Sequence, residues 1–131
     1  LRAQQNPGKR VEQDLSTIRV RNLTKGTVLA EQALVANTSE LRRTGLLKHT
    51  ELPRGEGLWI VPCEAVHTFG MNFAIDVIYL SKTKRVVKIR GQMPRRRLSA
   101  CLWAHSVLEL PAGMAQEMKT EVGDQLEFDK L

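Results

Sequence analysis

The sequence predicts a small, mainly β or α+β domain: a partly closed, β-barrel-like fold of about seven short strands with two short helices. Three observations lead there. The chain has 131 residues, the size of one domain. Its apolar residues fall into short runs that alternate with polar ones or stay continuous over a few positions, and Gly or Pro turns bound these runs. No stretch sustains a helical period beyond a few turns. A domain of short strands must pair or hide its sheet edges, and partial closure with helices plugging the ends does so economically.

Residues 1–16 are polar and aperiodic and are expected to form a flexible arm; residues 17–131 form the β-rich domain. Residues 18–22 alternate apolar and charged, as a half-buried strand does. Lys25-Gly26 is a turn signal, and residues 27–36 return as the partner of a hairpin. Thr38 or Ser39 caps a short helix, Glu40 favours its first turn, and Leu41, Leu46 and Leu47 give its apolar face. Residues 58–61 read as a buried strand. Pro62 suits the start of a single helical turn over residues 62–66. Residues 73–80 are β-branched and aromatic enough for a central strand, and residues 85–90 follow as its hairpin partner. Residues 91–97 make an irregular basic loop, and residues 99–105 a helical turn. A strand over residues 106–110, a helix opened by Pro111 and ending about Lys119, and a last strand over residues 125–128 complete the chain.

With 42% apolar residues, the chain can build a real core and needs no disulfide. Cys63 and Cys101 permit one bridge without arguing for it. No run approaches the ~18 apolar residues of a membrane span. The N-terminal residues contain no apolar segment of the signal-peptide kind, so a cytoplasmic location is expected. The missing initiator Met leaves room for export after removal of a targeting segment. The net charge is +6, and its placement matters more than its size. Between Asp76 and Glu109 there is no acid, whereas Lys82, Lys84, Arg85, Lys88, Arg90, Arg95, Arg96 and Arg97 all lie there. Such asymmetry points to an anionic ligand, partner or surface.

The segment around residues 58–80 is similar to a bacterial and archaeal family, the domain of unknown function numbered 192. The matching blocks are Pro62-Cys63, His67-Thr68-Phe69-Gly70-Met71 and residues 73–80, followed by Arg85-Val86-Val87, Pro94, residues 107–113 and residues 122–126. Upstream, residues 43–47 resemble the segment that introduces the domain. The resemblance covers about residues 17–130 in order. Two departures stand out: Ala74 replaces a usual proline, and Arg95 follows Pro94 where an aromatic residue is frequent. The resemblance implies a small β-rich domain with exported and cytoplasmic forms, and no established activity, cofactor or substrate.

Four constellations could carry chemistry. Cys63 and His67, four residues apart, share a face if they lie on a helical turn, and Asp76 could orient the imidazole to complete a triad-like set. The plainer reading is a buried thiol and a structural histidine. Cys63, His67, Cys101 and His105 could supply four zinc ligands, although on extended strands residues four apart stand roughly 13 Å from each other. Asp76 sits in an apolar strand, where an acid requires a partner. His67, Arg43 or loop N–H groups are its candidates, and a structural carboxylate is preferred. Arg95, Arg96 and Arg97 could hold a phosphate or carboxylate, or bind nucleic acid, but few aromatic residues interleave them. A binding module with no cofactor, its site around Cys63, His67, Met71 and Asp76 and rimmed by Arg95–Arg97, is preferred. A cysteine- or zinc-dependent enzyme is one alternative, and anion or nucleic-acid binding through the basic segment 82–97 is the other.

Overall fold

The structure is a computed structural model that describes residues 16–131. The arm expected over residues 1–16 therefore lies, but for Ser16, outside the described residues. Among the described residues nine strands and two short helices follow one another: β1 (Thr17–Asn22), β2 (Thr27–Ala36), α1 (Ser39–Thr44), β3 (Glu56–Ile60), β4 (Ala65–His67), β5 (Ile75–Leu80), β6 (Val86–Met93), β7 (Leu98–Ala100), β8 (Ser106–Pro111), α2 (Met114–Glu117) and β9 (Leu126–Lys130). Seven strands form one sheet in the order β6-β5-β8-β3-β2-β1-β9, and β4 and β7 form a separate two-stranded ribbon.

The hairpin expected from the first two strands is present, antiparallel across the turn at residues 23–26. The chain then crosses over through α1, and β3 joins β2 in parallel. Thr38 is the cap of α1, its side chain accepting the Leu41 N–H at 3.1 Å. Gly45 ends the helix with φ 49°, a conformation that suits glycine. The helix is thus shorter than its leucines suggested: Leu46 is buried beyond its end and Leu47 is exposed.

The sheet curls until its edges meet. Arg85, ahead of β6, bridges Gln125, ahead of β9. Val86 N–H donates to the Asp124 carbonyl and Leu126 N–H to the Lys84 carbonyl, both at 2.9 Å. Asp124 secures this closure from within. Its carboxylate accepts from Asn22 Nδ2 at 2.9 Å, from Lys25 Nζ at 2.8 Å and from Glu121 N–H at 2.9 Å. Burial works to raise this carboxyl, but the Asn22 and Lys25 bonds outweigh it and hold Asp124 below its ordinary range.

Two hydrophobic cores flank the sheet. Residues from both ends of the strand order, including Val20, Leu29, Ile78, Val86, Leu110 and Leu126, pack together, which places this first core inside the curl. Trp59 and Phe128 meet edge to face across it, with ring centres 4.7 Å apart. The second core, with Ile60, Ile75, Val77, Tyr79 and Val107, lies on the outer face under Leu46, Leu52 and the ribbon residue Val66. Strands β5 and β8 are therefore covered on both sides; every residue of β5 is buried. The Tyr79 hydroxyl donates to Ser99 Oγ at 2.9 Å and fastens the ribbon to the sheet.

The ribbon is the main departure from the expected elements. Residues 62–66 do not make a helical turn: β4 extends there, with Val66 inward between exposed Ala65 and His67. Residues 99–105 likewise begin as β7, with Ser99 inward between exposed Leu98 and Ala100. Three-residue strands carry too little periodicity to separate from a turn, and pairing with a distant partner decides them. Pro111 ends β8, and it is Gly113, with φ 89°, that precedes the single turn of α2.

Gly57 in β3 allows the close approach of β8. A Cβ at this position would stand 2.9 Å from the Glu109 carbonyl oxygen and 3.0 Å from Leu110 Cδ2. Gly57→Ala should therefore destabilise the protein by about 1–3 kcal/mol, since neither backbone nor core can yield freely. The midpoint of urea unfolding measures this, and an unchanged midpoint would contradict the packing described.

Candidate functional site

Strand alternation distributes the candidate residues. Ile75, Val77 and Tyr79 point to the outer core, so Asp76 points into the curl beside its ladder partner Leu110. Only 1% of Asp76 is exposed. Its Oδ1 accepts the N–H groups of Gln92 at 2.7 Å and Gly113 at 2.9 Å, and its Oδ2 accepts that of Ala115 at 2.7 Å. Gln92 and Gly113 both have positive φ, 47° and 89°, and the chain turns at each beside the carboxylate. Backbone N–H groups, rather than His67 or Arg43, are thus what Asp76 meets. One carboxylate joins the end of β6 to the entry of α2. It borders an open hollow of about 510 Å³ with Gln116 and Thr120.

Cys63, His67 and Met71 line a different cavity, of about 260 Å³, on the outer face beneath α1. Asp76 is not part of it, so the triad-like set is divided by the sheet. Arg42 stands at this cavity, its Nη1 3.4 Å from the Val61 carbonyl. The Cys63 thiol donates to the Ala65 carbonyl at 3.2 Å. Burial is the main influence on it and raises its pKa, which favours thiol over the thiolate that a nucleophile needs. His67 lies exposed at the rim, its ring 5.7 Å from that of Phe69.

The cavity contains a further acid, Glu109. It sits on β8 opposite Val77 and shares its face with Val107, so strand geometry aims it at the outer core. It is 4% exposed, and no hydrogen bond from a described residue reaches its carboxyl. Burial alone raises its pKa from 4.5 to about 8, so it stands protonated at neutral pH. The signal was available in the sequence: Glu109 interrupts an apolar run as Asp76 does, but it served only to mark the end of the acid-free stretch.

Arg95, Arg96 and Arg97 do not line the cavity. They are exposed on the loop between β6 and β7. Thr68, fully buried, holds that loop: its hydroxyl donates to the Pro94 carbonyl at 2.6 Å and accepts the Arg97 N–H at 2.9 Å, and its own N–H donates to the Arg97 carbonyl at 2.9 Å. Cys101 and Cys63 are both free thiols. The two Cys-His segments touch through backbone, with Cys63 N–H donating to the His105 carbonyl at 3.0 Å. Among the described residues no group of three or more His, Cys, Asp or Glu side chains converges on one point, so the four candidate zinc ligands are not assembled.

Two outcomes follow. Asp76→Asn replaces an oxygen by a donor facing N–H groups and should cost about 2–4 kcal/mol, read from chemical unfolding with an unchanged denaturant slope. For Glu109 the sign is opposite to that of an ordinary paired acid. Between pH 4.5 and about 8 the native state holds a proton that the unfolded state has lost, so stability falls as pH rises. The stability difference between wild type and Glu109→Gln should change by about 1.4 kcal/mol per pH unit across that window, with wild type relatively strongest at the acid end. A difference that does not vary with pH would contradict the buried, protonated state.

Comparison with known proteins agrees with this architecture. The chain is 31% identical over 115 residues to a UPF0127 protein of Pyrococcus furiosus, covering 84% of this chain and 97% of that one. A UPF0127 protein of Pyrococcus horikoshii is 29% identical over 112 residues, covering 82% and 96%. The fold is shared with a protein of unknown function from Novosphingobium aromaticivorans, at a TM-score of 0.74 and 23% identity over 86% of this chain and 84% of that one. It is shared also with a protein from Sinorhizobium meliloti described as a putative transcription regulator, at a TM-score of 0.76 and 16% identity over 87% and 93%. The family model of DUF192, described as Uncharacterized ACR, matches residues 20–128, and with most of its length accounted for the chain belongs to that family.

Proposed function

We infer that the protein is a binding module for a small polar molecule, held in the cavity beneath α1 with Glu109 at its floor. The observation that carries this reading is the Glu109 carboxyl, buried, aimed at a cavity of about 260 Å³ and without a hydrogen bond from any described residue. A carboxyl that lines a cavity without a partner from the described residues leaves its hydrogen-bonding capacity open to a ligand held there. Met71, Ile60 and Val66 give the cavity apolar walls, while Arg42 adds a positive charge. Cys63 serves as a wall group in this reading, with its thiol protonated, and His67 stands at the rim.

A panel of short-chain amines, amides and carboxylates tests it, followed by amide chemical shifts. Shifts should cluster at Cys63, Met71 and Glu109, and Glu109→Gln should weaken a bound amine, which pairs with the ionised acid, by about tenfold or more, the worth of a hydrogen bond to a charged group. The pH dependence then identifies the partner atom. An amine that binds ionised Glu109 gains affinity as pH rises toward about 8. A carbonyl compound that accepts the Glu109 proton binds evenly below that pH and weakens above it. A panel that moves none of these residues would defeat the proposal.

A further inference from the structure

The β4–β7 ribbon is fastened on one side only. Val66 and Ser99 point inward, and Ala65, His67, Leu98 and Ala100 face outward, with His67 directly opposite Leu98 in the ladder. The ends of the ribbon add further apolar groups. Trp103 is 87% exposed, Leu98 71%, Leu102 69% and Phe69 52%. Large apolar side chains left exposed along one ribbon and the turns that flank it are of the kind that mark a contact surface. Immediately before β7 stand Arg95, Arg96 and Arg97, all exposed and without an acidic partner among the described residues. They are not loosely placed, because the three hydrogen bonds of Thr68 fix the loop that carries them. Lys88 lies alongside, its Nζ 2.7 Å from the Ala100 carbonyl. Glu64, whose backbone carbonyl accepts the Cys101 N–H at 2.7 Å, places an acid on the ribbon's border.

We propose that the outward face of this ribbon docks on an anionic lipid surface, with Leu98, Leu102 and Trp103 entering the headgroup region and Arg95, Arg96 and Arg97 meeting the lipid phosphates. Charge complementarity selects the negative partner. The aliphatic groups select lipid over nucleic acid: a strand of bases would use stacking rings and leave the two leucines without a role, whereas an interface takes leucine, tryptophan and arginine at adjoining depths. No helix among the described residues is long and apolar enough to cross a membrane, so the contact is peripheral.

The test uses the full chain with vesicles of phosphatidylcholine, alone and with added phosphatidylserine. Co-sedimentation with the phosphatidylserine vesicles is expected, with a blue shift of tryptophan emission that salt diminishes. Neutralising the loop (Arg95→Gln, Arg96→Gln, Arg97→Gln) should lower vesicle affinity by at least about tenfold, since each basic residue near the surface contributes. The double variant Leu98→Ser, Trp103→Ser should lose both binding and the blue shift while its unfolding midpoint stays at the wild-type value, because both side chains are exposed. Absence of sedimentation with either vesicle would overturn the proposal, as would binding that survives both variants. Retention of a single-stranded oligonucleotide without vesicle binding would overturn it too, and so would a concentration-dependent dimer abolished by the double variant in the absence of vesicle binding.

Discussion

Burial of β5 and β8 on both faces is the constraint from which the rest of the structure follows. A strand covered on both sides can leave no side chain to water, so each polar residue on it must be answered by the protein. Asp76 is answered by three backbone N–H groups drawn from two segments, and those segments are thereby placed: the end of β6 and the first turn of α2. Ser99 answers Tyr79, and this bond brings the ribbon onto the outer core. Ser106, whose buried Oγ finds no partner among the described residues, and Glu109 are the exceptions, and of the two it is Glu109 that lines the cavity. The same rule, applied to neighbouring positions on paired strands, thus produces a hydrogen-bonded structural carboxylate on one face and a protonated carboxyl without a described partner on the other.

The closure of the sheet obeys a similar economy. Curling brings β6 and β9 together only at one end, where Arg85 meets Gln125. Asp124 compensates there by binding Asn22 and Lys25 from the first hairpin. Salt links along β1 and β9, such as Arg21 to Asp129 at 2.7 Å, lie at the surface and contribute less than the buried cluster. The barrel is therefore joined by a polar knot where its ladder is incomplete.

Much of this was legible in the residues. The first hairpin, the cap at Thr38, the central strand near residues 73–80 and the need of Asp76 for a partner all follow from local pattern. What stayed hidden depended on layers. A period of two states that Asp76 and Val77 face opposite ways, but the assignment of Cys63 and His67 to the face of Val77 required knowing what covers that face. For Glu109 the strand over residues 106–110 is legible but its environment is not, because alternation alone does not distinguish a wet face from a second core. The role of Asp124 is not legible locally, since its partners Asn22 and Lys25 come from the other end of the chain. The ribbon escaped notice because β4 and β7 are three residues each and specify nothing until they meet.

The β4–β7 ribbon shares no ladder with the seven-stranded sheet. It is held by the Tyr79 hydroxyl, the Thr68 bonds, the packing of Val66 in the outer core and a few backbone contacts at its ends. Val66 is at once its inward anchor and a wall of the cavity. The ribbon thus roofs the cavity that holds Glu109, while the seven-stranded ladder beneath it is complete without it.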